Sequence, residues 1–289
     1  MASTSSSISV STLPSSMTSD TDNLPTIQFT NIEALAKAVY QIRGGFDCAV
    51  IEGVSPTDME NLVLRETNPF RIRQYYSDRA ILIISIPTHL HEALHLGLYK
   101  AFIKQLFLTR QDESWAEIGS ATFEGHPGGN NKEGDSSGGP TPVRYFKGAW
   151  PTLVIEAGLS QTLPQLQLGM RWWFSTSDHQ VKIVLLVKFD YTNQSILIER
   201  WEEEAINPQS RPGATTTGQV TRSNALQPLL RQRITITRDA TTDSYHVTSG
   251  ALELSFRLLF LRDPGPQEGD FLISVEQLEN YARNVWRVV

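Results

Sequence analysis

The sequence has few features that would cross-link it covalently or direct it out of the cell. Among 289 residues Cys48 is the one cysteine, which excludes an internal disulfide and cysteine-rich zinc or iron–sulfur sites. The N-terminus lacks a basic start followed by an apolar core, and no apolar run approaches the ~18 residues of a membrane span. A lone cysteine suits a reducing compartment. We therefore expect an intracellular protein of the cytoplasm or nucleus, neither secreted nor inserted in a membrane.

The sequence also lacks an excess of positive charge. It has 25 Lys and Arg against 31 Asp and Glu, a formal net charge of -6. This balance gives no bulk attraction to nucleic acid phosphates, so nucleic acid as a partner would require a local basic patch. The hydrophobic fraction of 40% is sufficient for a substantial core.

The composition divides the chain into a tail and a folded part. Residues 1–25 are rich in Ser and Thr and have few large apolar side chains, so burial cannot offset the entropy of ordering. We predict a disordered tail over 1–25 and a single domain over 26–289. A Pro/Gly/Thr/Ser-rich stretch predicts a mobile linker over about 207–223, followed by a C-terminal extension over 224–289.

The stretch 150–190 has the pattern of a strand, a helix and a second strand. An apolar run ends at Glu156, close to Gly158, and residues 181–189 are apolar and β-branched. Between them, apolar residues recur at helical spacing: Leu163, Leu166, Met170 and Trp173. This pattern predicts a parallel βαβ unit with a carboxylate at the end of its first strand.

Apolar spacing and turn residues predict the other elements. The longest helical pattern runs from Thr88, as the N-cap, to Arg110. The other predicted elements are a helix over 31–42, a strand over 49–54, a helix starting at 55–58, strands over 70–76, 80–86 and 115–124, a glycine-rich loop over 125–140, strands over 195–201, 233–237 and 245–248, and a helix over 274–289.

The order of these elements and the sequence around them resemble a known family. KEGDSSGGP at 132–140, the stretch from Trp150 to Asp190 and ILIERWEEE at 196–204 are similar to PD-(D/E)XK nuclease-like proteins, which are common in fungi. The resemblance implies an α/β protein with a restriction endonuclease-like αβββαβ core and a mixed sheet over about 88–201. An N-terminal α/β extension and a C-terminal β/α extension would flank that core.

The resemblance also implies a metal site between Asp135 and Glu156. Members of this superfamily hold one or two Mg²⁺ (or Mn²⁺) ions between an acidic residue that opens the second core strand and one on the third. Hard cations prefer such oxygen ligands, and they activate water for attack on a phosphodiester. Glu92, in the long helix, is a candidate accessory ligand. The implied activity is that of a magnesium-dependent nucleic-acid phosphodiesterase.

The sequence departs from the family motif at two positions. Gly134 stands where the motif has proline, and Gly158 stands where it has the lysine that would orient water or stabilise the transition state. Gln165 is our first choice for a replacement, followed by Gln167, Arg171 and Lys132. Two versions of the hypothesis stay open: an active nuclease, and a degenerate relative that keeps the fold without cleavage.

A competing motif lies in the long helix, where His91-Glu92-Ala93-Leu94-His95 matches H-E-x-x-H. The i, i+4 spacing places both imidazoles on one helix face for zinc, with the glutamate as general base of a metalloprotease. No third histidine of the extended motif follows, and a downstream ligand would have to be Glu113 or Glu117. A zinc metalloprotease and a non-catalytic interaction module are therefore the alternative functions.

Each candidate residue also has a purely structural explanation. Glu156 and Asp135 could be an ordinary strand end and an ordinary loop residue. Gln165, with Gln167 and Arg171, fits a solvated helix face. Trp172 and Trp173 fit core packing, or base stacking in a nucleic acid complex.

Overall fold

The computed structural model describes residues 24–65, 67–119, 121–125, 131–205 and 226–289. The predicted tail over 1–25 lies outside these ranges except for its last two residues, and the predicted linker over 207–223 lies entirely outside them. In this described part of the chain, no helix is both long and apolar enough to cross a bilayer.

The described residues form a mixed α/β fold. In chain order the strands are β1 (Thr26–Gln28), β2 (Cys48–Glu52), β3 (Arg71–Tyr76), β4 (Ile81–Ser85), β5 (Trp115–Glu117), β6 (Thr122–Glu124), β7 (Asn131–Glu133), β8 (Ser136–Pro140), β9 (Leu153–Gly158), β10 (Ile183–Asp190), β11 (Ser195–Ala205), β12 (Leu226–Asp239), β13 (Ser244–Val247), β14 (Leu252–Leu254) and β15 (Phe271–Ile273). The α-helices are α1 (Ile32–Ile42), α2 (Pro56–Val63), α3 (His89–Leu108), α4 (Leu163–Thr176), α5 (Phe256–Phe260) and α6 (Val275–Trp286).

Two mixed sheets carry most of the strands. The front sheet has the order β1-β2-β4-β3-β7-β6, and the central sheet has the order β13-β12-β11-β10-β9-β8-β5. In the central sheet β9 and β10 are parallel, whereas β8 runs antiparallel to both of its neighbours, β5 and β9. Strands β14 and β15 form a separate antiparallel pair.

The parallel βαβ unit predicted over 150–190 is confirmed. Strand β9 pairs in parallel with β10 across helix α4. Thr162 begins this helix with a capping box in which its hydroxyl accepts from the Gln165 backbone N–H and the Gln165 side chain accepts from the Thr162 N–H. Pro164, in the first turn, suits a helix start because its missing N–H would have no partner there.

Helices cover both faces of the central sheet because its strands alternate apolar side chains toward each face. Leu153, Ile155 and Ala157 belong to a core shared with α3 and α6. Val154 belongs to a second core with Leu166, Met170, Trp173 and Phe174 of α4. Glu156 lies in the same alternation as Val154, so its side chain is directed to the α4 side of the sheet.

Two predictions around the glycine-rich segment were wrong. The predicted strand over 115–124 is two short strands, β5 and β6, that belong to different sheets. The predicted loop over 125–140 contains β7 and the fully buried strand β8; residues 126–130 lie outside the described residues. The glycines do not prevent packing here, because at Gly138 a Cβ would lie 2.5 Å from both Trp115 Nε1 and the Tyr99 hydroxyl. The missing side chain is what lets these two rings reach the strand.

Candidate functional site

The strand register brings Asp135 and Glu156 side by side. Ser136 pairs with Ile155 in the antiparallel β8–β9 ladder, so Asp135, which immediately precedes β8, faces Glu156 on β9. Asp135 Oδ2 also accepts a hydrogen bond of 2.8 Å from the Ala157 N–H. Both carboxylates are buried, with Asp135 6% exposed and Glu156 1% exposed. Two residues predicted to act together are therefore neighbours.

An arginine of the front sheet bridges the two carboxylates. Arg73 Nη2 lies 2.7 Å from Glu156 Oε2, and Nη1 lies 3.5 Å from Asp135 Oδ2. Arg73 Nη2 also donates to the Ala157 carbonyl at 3.3 Å. Arg73 is itself 5% exposed. A guanidinium thus occupies the space between the two acids that a metal ion was expected to bridge.

A β-bulge in β3 positions Arg73. The register between β3 and β4 shifts between Ile72 and Gln74, so Arg73 has no Cα partner in the ladder. A bulge inserts one extra residue and redirects the side chains around it. Arg73 therefore leaves the regular alternation of the front sheet and reaches the central sheet.

Lys132 reaches the same carboxylates from β7. Its ammonium lies 3.3 Å from Glu156 Oε1 and 5.9 Å from the centre of the Trp173 ring. Gly169 on α4 leaves the space for it, because a Cβ at that position would lie 2.8 Å from Lys132 Nζ. Lys132, predicted as a replacement for the motif lysine, is thus brought into contact with Glu156. We call Arg73, Lys132, Asp135 and Glu156 the ion-pair network.

The charges of the network shift one another's pKa values. Burial by itself lowers the pKa of Arg73, but Glu156 and Asp135 outweigh it and hold that pKa above its usual value. Burial by itself raises the pKa of Asp135, but His91 and Arg73 hold it well below its usual range. Burial lowers the pKa of Lys132, and the Glu156 carboxylate opposes that effect. Asp135 is therefore stabilised as an anion by cations of the protein itself.

The network leaves little room for a substrate. The cavity bordered by Arg73, Lys132 and Gln165 measures about 20 Å³, which is roughly the space that one water molecule needs. Metal-dependent hydrolysis of a phosphodiester needs open coordination positions for water and for phosphate oxygens. In this conformation the arrangement suits charge neutralisation better than it suits cleavage.

The other candidates for the missing lysine have different surroundings. Gln165 is buried rather than solvated, and its carbonyl oxygen accepts from the Thr162 N–H in the α4 capping box. The Gln167 amide donates to Glu199, and Arg171 is exposed. A Cβ at Gly158 would lie 3.1 Å from the Leu166 side chain. Leu166 therefore packs where a side chain at position 158 would begin.

Glu92 lies on α3 in a second group of polar side chains. It forms a two-point ion pair with Arg71, with 3.1 Å between Arg71 Nη1 and Oε1 and 3.1 Å between Nη2 and Oε2. Glu92 Oε1 also lies 3.4 Å from His95 Nε2 and 3.8 Å from His91 Nδ1. His91 links this group to the ion-pair network, because its Nε2 lies 3.4 Å from Asp135 Oδ2.

Two side chains that the sequence did not single out contribute to this region. Arg73 was predicted only as part of a strand, and its one available signal is a charged residue inside a strand expected to be buried. Asp47 is 3% exposed and accepts hydrogen bonds of 2.7 Å from the N–H groups of Leu159 and Ser160. Asp47 precedes β2, so it connects the front sheet to the end of β9.

Comparisons with known proteins give a distant likeness only. No family profile matches the chain, and no curated protein matches it in sequence. Among solved structures, the fold is similar to a crystal structure of a candidate nuclease of the DUF820 group from Anabaena variabilis. The TM-score is 0.35 and the sequence identity 14%, over 49% of this chain and 78% of that chain. A likeness this distant carries no argument about the chemistry of the present chain.

Proposed function

We propose that this chain is a nuclease-like protein of the PD-(D/E)XK type whose metal site has become an internal ion-pair network. Asp135 and Glu156 then serve to hold Arg73 and Lys132, and the protein acts by binding a partner rather than by hydrolysis. The single observation that carries the proposal is the Arg73 guanidinium between the two buried carboxylates.

Charge and desolvation explain why this arrangement opposes a metal ion. Two carboxylates already face two cationic groups inside a region that is almost fully buried. A divalent cation would add two positive charges beside Arg73 and Lys132, where repulsion is weakly screened. The ion would also have to lose most of its bound water, and magnesium gives up water reluctantly. Binding would therefore require Arg73 to move away.

The order of elements supports the nuclease-like assignment. Helix α3, strands β5, β8 and β9, helix α4 and strand β10 have the αβββαβ order that the sequence resemblance implies, with β6 and β7 of the front sheet inserted between β5 and β8. Asp135 stands at the start of the second of these strands and Glu156 lies on the third. These are the positions at which the resemblance implies the acidic pair.

The contact between Lys132 and Glu156 favours the other version, an active magnesium-dependent nuclease. The Lys132 ammonium supplies, from β7, the charge that Gly158 lacks. For activity, Arg73 would have to leave the carboxylates so that Mg²⁺ could bind them. A nucleic acid partner belongs to both versions and stays a prediction, as does the zinc protease.

A nicking assay separates the two versions. Purified full-length protein in excess is incubated with supercoiled DNA, single-stranded DNA and RNA in Mg²⁺ or Mn²⁺, beside an Asp135→Ala variant prepared identically. We expect the wild-type protein to cleave no more than Asp135→Ala does. Cleavage that disappears in both Asp135→Ala and Glu156→Gln would overturn the proposal and establish the active version.

A further inference from the structure

The polar group on helix α3 has the features of a metal site. Its three candidate ligand atoms are not those of the ion-pair network, which it contacts through His91. His91 Nδ1, His95 Nε2 and Glu92 Oε1 lie within 4.8 Å of one another. All three atoms are buried, and none meets hydrogen-bond geometry with another described residue, although Arg71 Nη1 forms an ion pair with Glu92 Oε1 at 3.1 Å. Both imidazoles are 0% exposed. Buried polar atoms without partners are costly, so two imidazole nitrogens that converge on one carboxylate oxygen call for an occupant.

The remaining nitrogen of each imidazole has a polar neighbour. His95 Nδ1 lies 2.8 Å from Ser136 Oγ, within hydrogen-bonding distance, and His91 Nε2 lies 3.4 Å from Asp135 Oδ2. Metal-binding histidines usually donate their other N–H to a hydroxyl, carbonyl or carboxylate, which orients the ring and selects its tautomer. Both rings are therefore held with one nitrogen directed at Glu92 Oε1.

We propose that His91 Nδ1, His95 Nε2 and Glu92 Oε1 bind one divalent transition metal ion, of which zinc is the representative. Two imidazoles and one carboxylate suit zinc and its neighbours, whereas magnesium prefers oxygen ligands alone. In a tetrahedral zinc site the ligand atoms lie about 3.3 Å apart. The 3.4 Å between His95 Nε2 and Glu92 Oε1 already fits. The 3.8 Å between Glu92 Oε1 and His91 Nδ1 and the separation of the two nitrogens, which lie within 4.8 Å of each other, would close on binding.

The neighbouring charges limit the affinity without preventing binding. Arg71 pairs with both Glu92 oxygens and competes with the ion for their charge, with 3.1 Å from Nη1 to Oε1 and 3.1 Å from Nη2 to Oε2. Oε1 also lies 3.4 Å from His95 Nε2, so it still faces the histidines. Zinc must also displace any proton from the imidazole that Asp135 stabilises in its charged form. The Glu92 side chain is 27% exposed, which gives an ion a path from solvent.

This site differs from the protease that H-E-x-x-H predicts. In that motif the glutamate is a general base and remains free of the metal. Here Glu92 Oε1 lies with the two nitrogens and would be a ligand itself. The proposed ion would tie α3 to β8 through Ser136 and to β3 through Arg71, which is a stabilising role.

The test is zinc binding by full-length protein that has been freed of metal with a chelator. Zinc is titrated by calorimetry, and cobalt is titrated by its visible absorption, which reports coordination by nitrogen and oxygen directly. We expect one ion per chain and a raised melting temperature. In His95→Gln the calorimetric signal for zinc and the visible absorption of bound cobalt should both be lost. His89→Ala is the matched control, because His89 is an exposed histidine at the start of the same helix.

Two further variants keep the test decisive if His95→Gln does not fold. Ser136→Ala retains all three ligands and should weaken binding about 10- to 100-fold, as loss of an outer-shell partner does elsewhere. Glu92→Gln should also weaken it. Zinc that fails to bind the wild-type protein, or binds all these variants equally, would overturn the proposal. Glu156→Gln should leave zinc binding intact, so this result is independent of the nuclease question.

Discussion

At the scale of single residues, Arg73 determines what the acidic pair can do. Without it, Glu156 would keep Lys132 and Asp135 would keep His91 as neighbours, but the guanidinium that joins the two buried carboxylates would be lost. A bound cation or proton could then take its place. With Arg73 present, each acid has a permanent counterion at 2.7 or 3.5 Å. Both acids were predicted through the family resemblance, but Arg73 was not. Its side chain is directed by a β-bulge that no sequence pattern predicted.

Removing Arg73 should destabilise the fold strongly. In Arg73→Ala the two carboxylates lose a buried partner, and breaking a buried ion pair of this kind costs about 3–5 kcal/mol in the free energy of unfolding. Urea unfolding at neutral pH measures the change. Arg79→Ala is the control, since Arg79 is exposed and pairs with the adjacent, exposed Asp78; its expected change is below about 1 kcal/mol. Equal effects would show that Arg73 is not an essential counterion.

Glu133 provides a test of pH dependence beside the network. Burial raises its pKa to about 7, although Thr122 donates a hydrogen bond to it at 2.6 Å. Because the folded pKa exceeds the unfolded value of about 4.3, the folded state binds the extra proton between these values. Protonation of Glu133 therefore favours the folded state at low pH, and this contribution to the free energy of unfolding is lost as pH rises toward 7. Glu133→Gln should consequently gain stability relative to wild type between pH 5 and pH 8.

Unfolding curves at the two pH values measure that gain. Glu124→Gln on the paired strand β6 is the control, because Glu124 is exposed. If Glu133→Gln and Glu124→Gln shift in parallel with pH, the raised pKa of Glu133 is refuted.

At the scale of elements, the long periodic segments were predictable and the glycine-rich strand was not. Helix α3, with Thr88 as its N-cap, and the β9-α4-β10 unit appear close to their predicted bounds, because apolar spacing over many residues specifies them. Strand β8 has no such pattern. Its sequence, SSGGP, forms a buried strand only because the rings of Tyr99 and Trp115 pack where side chains would be. Tertiary packing therefore overrode composition.

Substitution of Gly138 tests this explanation. In Gly138→Ala the new methyl group would lie 2.5 Å from Trp115 Nε1 and from the Tyr99 hydroxyl, which also share a hydrogen bond of 3.0 Å. We expect a loss of about 1–3 kcal/mol, the usual range for overpacking, measured by urea unfolding. Gly45→Ala is the control because nothing lies within 4 Å of a Cβ there. Equal stability of the two variants would contradict the close packing.

At the scale of the whole molecule, charged groups and one aromatic side chain join the two sheets. Phe123 of the front sheet lies in the core on the α4 side of the central sheet. The front sheet packs against α1 and α2 through its own core, and the central sheet is covered by α3, α4 and α6. Arg73 and Lys132 of the front sheet contact Glu156 of the central sheet, and Asp47 contacts the residues after β9. The sequence predicted an N-terminal α/β extension and a nuclease-like core. It did not predict that β6 and β7 would join the front sheet or that the two sheets would meet at the acidic pair, because both depend on packing between distant segments.

The central claim is that protein cations replace a metal ion between Asp135 and Glu156, and a magnesium titration tests it most directly. Thermal unfolding is followed for the wild type, Arg73→Ala and Arg79→Ala as Mg²⁺ increases. A ligand that binds only the folded state raises the melting temperature with its concentration. We predict no magnesium-dependent rise for wild type or Arg79→Ala, and a rise for Arg73→Ala, whose carboxylates lack their guanidinium. A rise in the wild-type protein that Asp135→Asn abolishes would contradict the account.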